Sequence, residues 1–438
     1  MKELSALYSA HVTTLVDRTT KALEHAGYER LVIHAGDLVL HSRFDDREFP
    51  FSPVPAFSHW VPWPWPGSAL VIEKGRTARL CARRRTDFWE RLEAPHAELV
   101  AQALDVEMVD DLGGLADFAR KPGTAFIGET VASGVKLGFD EARINPHTLV
   151  EALHDTRVKK TPYEVECVAQ ANRRAARGHV AIREAFAAGG RDELALHLTY
   201  LAAIEQSDAE APYQGIVALG EAASVLHHHH YGVRPEAQSL LVDAGAQVRG
   251  YAADITRTYA APGSAPEFEV LIEGMDRLQK EVCRRIEVGK NYEALHDETH
   301  DLLGGLLVEH GLVTCSAEAA VGEGLTRVFF PHGLGHSLGV QVHDVGCRKT
   351  QPRKENTWLR NTANIETGQV FTIEPGLYFI DALLEPLRAS PAGESVVWDR
   401  IDPLRPYGGI RIEDDVLVLD SGASPNVRNF SREAFASL

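Results

Sequence analysis

The strongest constraint on how this chain can fold comes from four acids placed where acids are costly. Asp243 closes the apolar run "SLLVD", Asp254 interrupts "YAADITRTY", Glu374 lies within "VFTIEPG" and Glu413 within "GIRIEDDV". Short β-branched runs bounded by turn residues read as strands. A strand that buries one face would take each carboxylate out of water. Unpaired, such a charge costs several kcal/mol unless a cation balances it or a proton neutralises it. One buried acid is commonplace, as an ion pair or a strand-end cap. Four in matching settings point to a shared cation site. A turn joins Asp243 to Asp254, so a hairpin can fold them side by side. Two divalent ions would balance four carboxylates. Oxygen-rich coordination with one imidazole favours harder ions, manganese or cobalt, over a zinc–thiolate cage. Two ions about 3.5–4 Å apart would polarise a carbonyl and activate a bridging hydroxide.

Histidine candidates crowd "PHGLGHSLGVQVHD", which carries His332, His336 and His343. His332 and His336 have the i, i+4 spacing of a zinc-protease helix. The intervening Gly-Leu-Gly lacks the glutamate of that motif and disfavours a helix. The glycines predict a bend where backbone approaches something closely.

Length and charge bound the remainder. A chain of 438 residues predicts two or three domains. The balance of 45 basic and 62 acidic residues, −17, argues against a sequence-independent nucleic-acid binder. No apolar run is long enough to span a membrane, and "MKELSALYSAHVTT" lacks the apolar core of a signal peptide. Five scattered cysteines without a CxxC pair predict reduced thiols in a cytoplasmic protein.

The first half predicts an α/β domain. It has strands in "RLVIHA", "SALVIEKG" and "AFIGE" and a helix in "LSALYSAHVTTLVDRTTKALEHAG". The proline- and tryptophan-rich "FPFSPVPAFSHWVPWPWPGS" cannot be a central strand and offers a surface for self-association. At "KKTPYEVE", Thr161 is a helix N-cap, Pro162 occupies the first helical position and Glu164 completes a capping box. The boundary falls near residue 157, giving domains 1–156 and 157–438. In the second half "SLLVDAGAQVRGYAADITRTY" predicts two strands about a turn. Leu295, Leu302, Leu303, Leu306 and Leu307 predict one helix face. Together these imply an α+β domain.

On these residues the chain resembles the pita-bread metallopeptidases and, within them, the bacterial Xaa-Pro dipeptidases (prolidases). Asp243 in "LLVDAG", Asp254 in "YAADITRTY", His336 in "HGLGHSLG", Glu374 in "FTIEPG" and Glu413 in "RIEDD" match the family's five ligands in order. The resemblance covers the chain from about residue 157 to the end. It extends more weakly through "FDDREFPFSPVPAFSHWVPWPWPG" into a creatinase-like N-terminal domain. It implies two divalent ions, usually manganese, with cobalt or zinc as alternatives, and a bridging hydroxide that attacks the carbonyl before proline. Asp243 and Asp254 would chelate one ion, with Asp254 reaching both. His336 would be the imidazole ligand of the other, Glu374 a ligand and general base, and Glu413 a bridge. His343 and His227 would contact the scissile carbonyl and the developing oxyanion. His332 would line the pocket, and Arg411 would position carboxylates. Tyr213 and Tyr292 match pocket tyrosines. Asp45 would reach the site from the partner of a homodimer. The implied ligand is a small proline-containing peptide, with neither nucleic acid nor membrane as partner.

The sequence departs from the family twice. Four histidines, His227 to His230, stand where relatives carry one before tyrosine, and His228, His229 and His230 are expected in a solvated loop. Ala363 stands where relatives often have arginine, which bears on how the substrate's C-terminal carboxylate is held. The rival readings are an aminopeptidase acting on longer Xaa-Pro peptides, an organophosphate-hydrolysing side activity, a creatinase-like enzyme, and a metal-free binding module.

Overall fold

The computed structural model describes residues 2–84, 97–420, 422–423 and 425–438. The chain divides into two compact units, Met1–Glu166 and Cys167–Leu438.

In the first unit the long helix Lys2–Ala26 stops at Gly27, whose φ of +77° suits a residue without a side chain. Strands β1 (Arg30–His34), β2 (Ala69–Glu73), β3 (Arg79–Arg83), β4 (Asp105–Val109) and β5 (Thr124–Ile127) form one sheet in the order β4-β3-β2-β1-β5. β1 runs parallel to β5 and antiparallel to β2. The predicted runs are β1, β2 and β5. β3 and β4 escaped prediction, and β4 ("DVEMV") has no buried residue that would betray a core strand. Val32, Val71 and Phe126 centre the core. The proline-rich loop contains no strand, as predicted, but Trp60, Trp63 and Trp65 are all buried. Its indoles are therefore packed inward within the chain. The capping box forms: Thr161 N donates to Glu164 Oε2 at 2.8 Å, and Glu164 N donates to Thr161 Oγ1 at 3.4 Å.

The second unit is α+β, with every strand pair antiparallel among the described residues. β6 (Ile216–Leu219), β7 (Ser239–Asp243) and β10 (Thr256–Ala260) form one sheet in the order β10-β7-β6. A two-residue ribbon, β8 (Gln247–Val248) and β9 (Tyr251–Ala252), interrupts the β7–β10 connection. Two strands were expected here and four are present. Arg249 and Gly250 both take positive φ and turn the ribbon tightly. Further on, β11 (Val370–Ile373), β14 (Asp414–Val418) and β15 (Val427–Asn429) form a second sheet, and β12 (Gly376–Tyr378) pairs with β13 (Gly409–Arg411). A bridge between Thr256 and Glu413 links the β10 and β14 sheets. The helix Tyr292–Glu309 buries Leu295, Leu303, Leu306 and Leu307, with Leu302 packed at the edge of the same core.

Candidate metal centre

All four acids lie where strands end or break, not in their interiors. Asp243 is the last residue of β7, in register with Ile216 and Thr256. Asp254 stands between β9 and β10, Glu374 between β11 and β12, and Glu413 between β13 and β14. A strand break lets the backbone turn, so side chains from different sheets converge. His336 comes from a segment laid beside β11. Glu374 N donates to Leu334 O at 2.9 Å, Thr372 N to His336 O at 2.9 Å, and Leu338 N to Val370 O at 3.1 Å. Gly335 makes this approach possible, because a Cβ there would collide with Thr372 O and the Tyr292 hydroxyl. As the glycines predicted, residues 331–344 hold no helix.

One ligand atom from each of Asp254, His336 and Glu413 lies within 4.8 Å of the others, and all three residues are buried. His336 Nε2 is 3.4 Å from Asp254 Oδ2 and 3.6 Å from Glu374 Oε1. Its Nδ1 lies 3.1 Å from Ser337 O, a contact that keeps a proton on Nδ1, so Nε2 becomes the electron-pair donor once its own proton leaves. The Tyr213 hydroxyl bridges Asp243 Oδ1 at 2.9 Å and Asp254 Oδ1 at 2.5 Å. Arg411 binds Asp243 Oδ2 through Nη2 at 2.6 Å, the Tyr378 hydroxyl through Nη1 at 2.7 Å, and Thr256 Oγ1 through Nε at 3.1 Å. Thr256 in turn donates to Glu413 Oε2 at 2.5 Å. Behind the site, Asp415 Oδ2 accepts from Asp254 N at 3.0 Å and Asn172 Nδ2 at 2.8 Å.

Electrostatics set this cluster apart from an ordinary ion pair. Burial pushes the Glu413 and Asp243 carboxyls above the usual range, and repulsion from the neighbouring acids adds to it. Burial likewise raises Glu374, to about 7, against the opposing charges of His336 and Arg411. Burial also opposes ionisation of Asp254, but the hydrogen bond and charge of His336, with the hydrogen bond from Tyr213, together outweigh it and hold the carboxyl low. The same contact, with the charge of Glu374, overcomes burial of His336 and raises it to about 9. Arg411 and a protonated His336 together fall short of four carboxylates, two of them buried. A buried, oxygen-rich set with one imidazole and a surplus of negative charge fits divalent cations.

The other predicted residues separate by position. His332 Nδ1 lies 3.6 Å from Glu374 Oε2, and its Nε2 contacts the Tyr378 hydroxyl at 2.8 Å. Burial lowers it to about 3. His343 is exposed and meets the His336 ring edge-on at 4.4 Å. Partial desolvation of its ring against the site, then the charges of His336 and Arg360, hold it below the usual range. His227 is exposed, and its charge acts on both His332 and His343. Tyr213 is spent on the two aspartates. Tyr292 corrects its expected place in the pocket: with 0% exposure it has no surface for a substrate, and its hydroxyl donates to Thr372 O at 2.9 Å. His228 corrects the solvated-loop expectation, being buried against Glu193 at 2.9 Å. Asp45 belongs to the first unit, half-buried and bound to Arg47 at 2.8 Å. Ala363 is buried, while Arg360, three residues earlier, is exposed. Thr256, Tyr378, Asp415 and Arg360 were not singled out from the sequence. The one signal for Thr256 was its place two residues beyond Asp254.

Comparison with known proteins agrees with this geometry. Residues 166–420 match the model of metallopeptidase family M24, and residues 6–154 match that of the Xaa-Pro dipeptidase N-terminal domain. The chain is 40% identical to the Xaa-Pro dipeptidase of Aeromonas hydrophila subsp. hydrophila, covering 99% of this chain and 100% of that protein. It is 40% identical to the Xaa-Pro dipeptidase of Marinobacter nauticus, covering 99% of each. The fold is shared with proline aminopeptidase P II from Yersinia pestis, at TM-score 0.74 and 22% identity over 97% of this chain and 96% of that one. Aminopeptidase PepP of Pseudomonas aeruginosa gives TM-score 0.73 and 20% identity, covering 97% and 98%. With a creatinase-like α/β unit ahead of a pita-bread unit whose five ligand-type residues converge, the chain belongs to metallopeptidase family M24.

Proposed function

We propose that this protein hydrolyses Xaa-Pro dipeptides, using two divalent ions held by Asp243, Asp254, His336, Glu374 and Glu413. The observation that carries the reading is the convergence of buried Asp254, His336 and Glu413, with Glu374 3.6 Å from His336 and Asp243 joined to Asp254 through the Tyr213 hydroxyl. Bound there, the ions supply Lewis-acid polarisation of the scissile carbonyl and an activated water. Manganese is the native metal of this reading.

The chain's own residues do the rest. Glu374 takes a proton from the attacking water and returns it to the proline nitrogen. His343 and His227 face the carbonyl oxygen and stabilise its developing charge. His332, held between Tyr378 and Glu374, orients the substrate. Arg411 keeps Asp243 ionised and aimed. Arg360 supplies the cation for the dipeptide's C-terminal carboxylate in place of the arginine that Ala363 replaces. Asp45 reaches the site from the second copy of a cytoplasmic homodimer.

Metal analysis with parallel assays of Leu-Pro, Gly-Pro and an Xaa-Pro-Xaa tripeptide tests the reading. Two ions per chain and preferred turnover of the dipeptides are expected. The fold shared with aminopeptidases P supports a second reading, removal of the residue before proline from longer peptides. Preferred turnover of the tripeptide would establish it.

A further inference from the structure

The metal centre leaves the run His227–His230 unexplained. His228 is buried, and its Nε2 lies 2.9 Å from Glu193 Oε2. Glu193 has 0% exposure at the start of the helix Glu193–Ile204. Its Oε2 also accepts from Gly232 N at 2.7 Å. Its Oε1 accepts from Leu219 N at 2.8 Å and Arg234 Nε at 3.1 Å. One carboxylate thus takes four donors, three of them from the histidine arm 225–234. Main-chain bonds clip the end of the arm to the same place: Glu193 N donates to Gly232 O at 3.0 Å, and Arg234 N to Arg191 O at 2.8 Å. The fourth donor, Leu219, ends β6, whose first residue is in register with Asp243 on β7. The anchor therefore fastens the arm to the sheet that carries a metal-site aspartate.

We propose that Glu193, acting through His228, Gly232 and Arg234, is a positioning residue that presents His227 to the substrate carbonyl. This rests on the dipeptidase reading for what His227 does, but the anchoring of the arm stands apart from it. His227 directly precedes the anchored His228, so the bonds that fix His228, Gly232 and Arg234 limit where His227 can lie.

The experiment is a double-mutant cycle in the metal-loaded full chain. E193Q keeps the side-chain shape but loses the charge that gathers the donors. It is expected to lower kcat/KM for Leu-Pro about tenfold, the scale of a misplaced catalytic group, with metal content unchanged. In an H227A background the same substitution should cost nothing further, because the group it positions is gone. Amide deuterium uptake should rise across residues 225–234 and not in the helix Glu193–Ile204. H230A, an exposed change on the arm, should leave activity unchanged. An undiminished tenfold loss in the H227A background, or unaltered uptake in the arm, overturns the proposal. Should E193Q not fold, H228F removes one of the four donors and carries the same cycle. If the wild type turns over no Xaa-Pro dipeptide, the dipeptidase reading fails, and deuterium uptake still decides whether Glu193 anchors the arm.

Discussion

Each compact unit contains a buried cluster of carboxylate and imidazole, and the two clusters have opposite electrostatics. In the first unit Glu164 accepts from Thr161 N at 2.8 Å and lies 3.3 Å from His59 Nε2, with His11 Nδ1 at 3.9 Å. Burial alone would raise its carboxyl. The charge and hydrogen bond of His59, then His11 and Lys160, overcome this and hold it well below the usual range. In the second unit the acids face one another, and Glu413, Asp243 and Glu374 are all raised. Even adjacent residues divide this way. Asp414, beside Glu413, is held at about 2 by Arg257 and Arg432 against its burial. A buried acid surrounded by donors is architecture. A group of buried acids short of cations is a binding site.

The sharpest break of this contrast is His336→Ala. It should remove a metal ligand and cost about a thousandfold or more in Xaa-Pro turnover, roughly 4 kcal/mol, with metal content falling in parallel. Full activity with metal retained would remove the imidazole from the site.

Glu164→Ala addresses the other cluster. It breaks a capping box and strands buried partners, at a cost of about 3–5 kcal/mol in urea unfolding. Activity per folded, metal-loaded molecule should stay unchanged. A loss of metal affinity in this variant would erase the distinction between the clusters.

The clusters should also respond to pH with opposite signs. Unfolded histidine titrates near about 6.5 and glutamate near about 4.3. His11, lowered by burial to about 4, and His59, also lowered, stay neutral where the unfolded chain is protonated. The first unit should therefore lose stability as pH falls from about 6.5 toward 4, with Glu164 adding a further loss below about 4.3. In chelator-treated protein the contribution of the metal-site pair Glu374 and His336 has the inverse sign. Glu374 at about 7 and His336 at about 9 keep protons that the unfolded chain has released. The stability these two groups contribute should therefore fall as pH rises from about 4.3 through 7, and again from about 6.5 through 9, against the lowered histidines His179, His296 and His300 of the same unit. Added manganese should offset that alkaline loss, because its ligands bind deprotonated. Site-resolved hydrogen exchange across this range checks both signs, and parallel responses would refute the contrast.

The smallest expected effect is Tyr292→Phe. Losing one buried hydrogen bond to Thr372 O should cost about 1 kcal/mol in thermal unfolding and leave KM nearly unchanged. A large rise in KM would return Tyr292 to the substrate pocket.

Much of the candidate site was legible because its signals are local. Each of the four acids announces itself inside its own apolar run, and the glycines around His336 announce a close approach. The capping box at Thr161 and strands β1, β2 and β5 were readable for the same reason. What escaped depends on partners far along the chain. Thr256 gains its importance from Glu413, 157 residues away, and Tyr378 stands between His332 and Arg411. His228 looked like a member of a polar run until Glu193, 35 residues earlier, buried it. The tryptophans of the proline-rich loop read as exposed because composition alone cannot say which face of a loop is covered.

By itself the sequence determined which side chains could hold cations and that the chain has an α/β part followed by an α+β part. Residue type and short-range periodicity carry that information. Only the tertiary structure decided that the acids sit at strand breaks, which tyrosine braces aspartates and which lies buried, and how the histidine arm is held. Those outcomes depend on burial and on hydrogen bonds between residues distant in the chain, and both exist only once the strands have paired and packed.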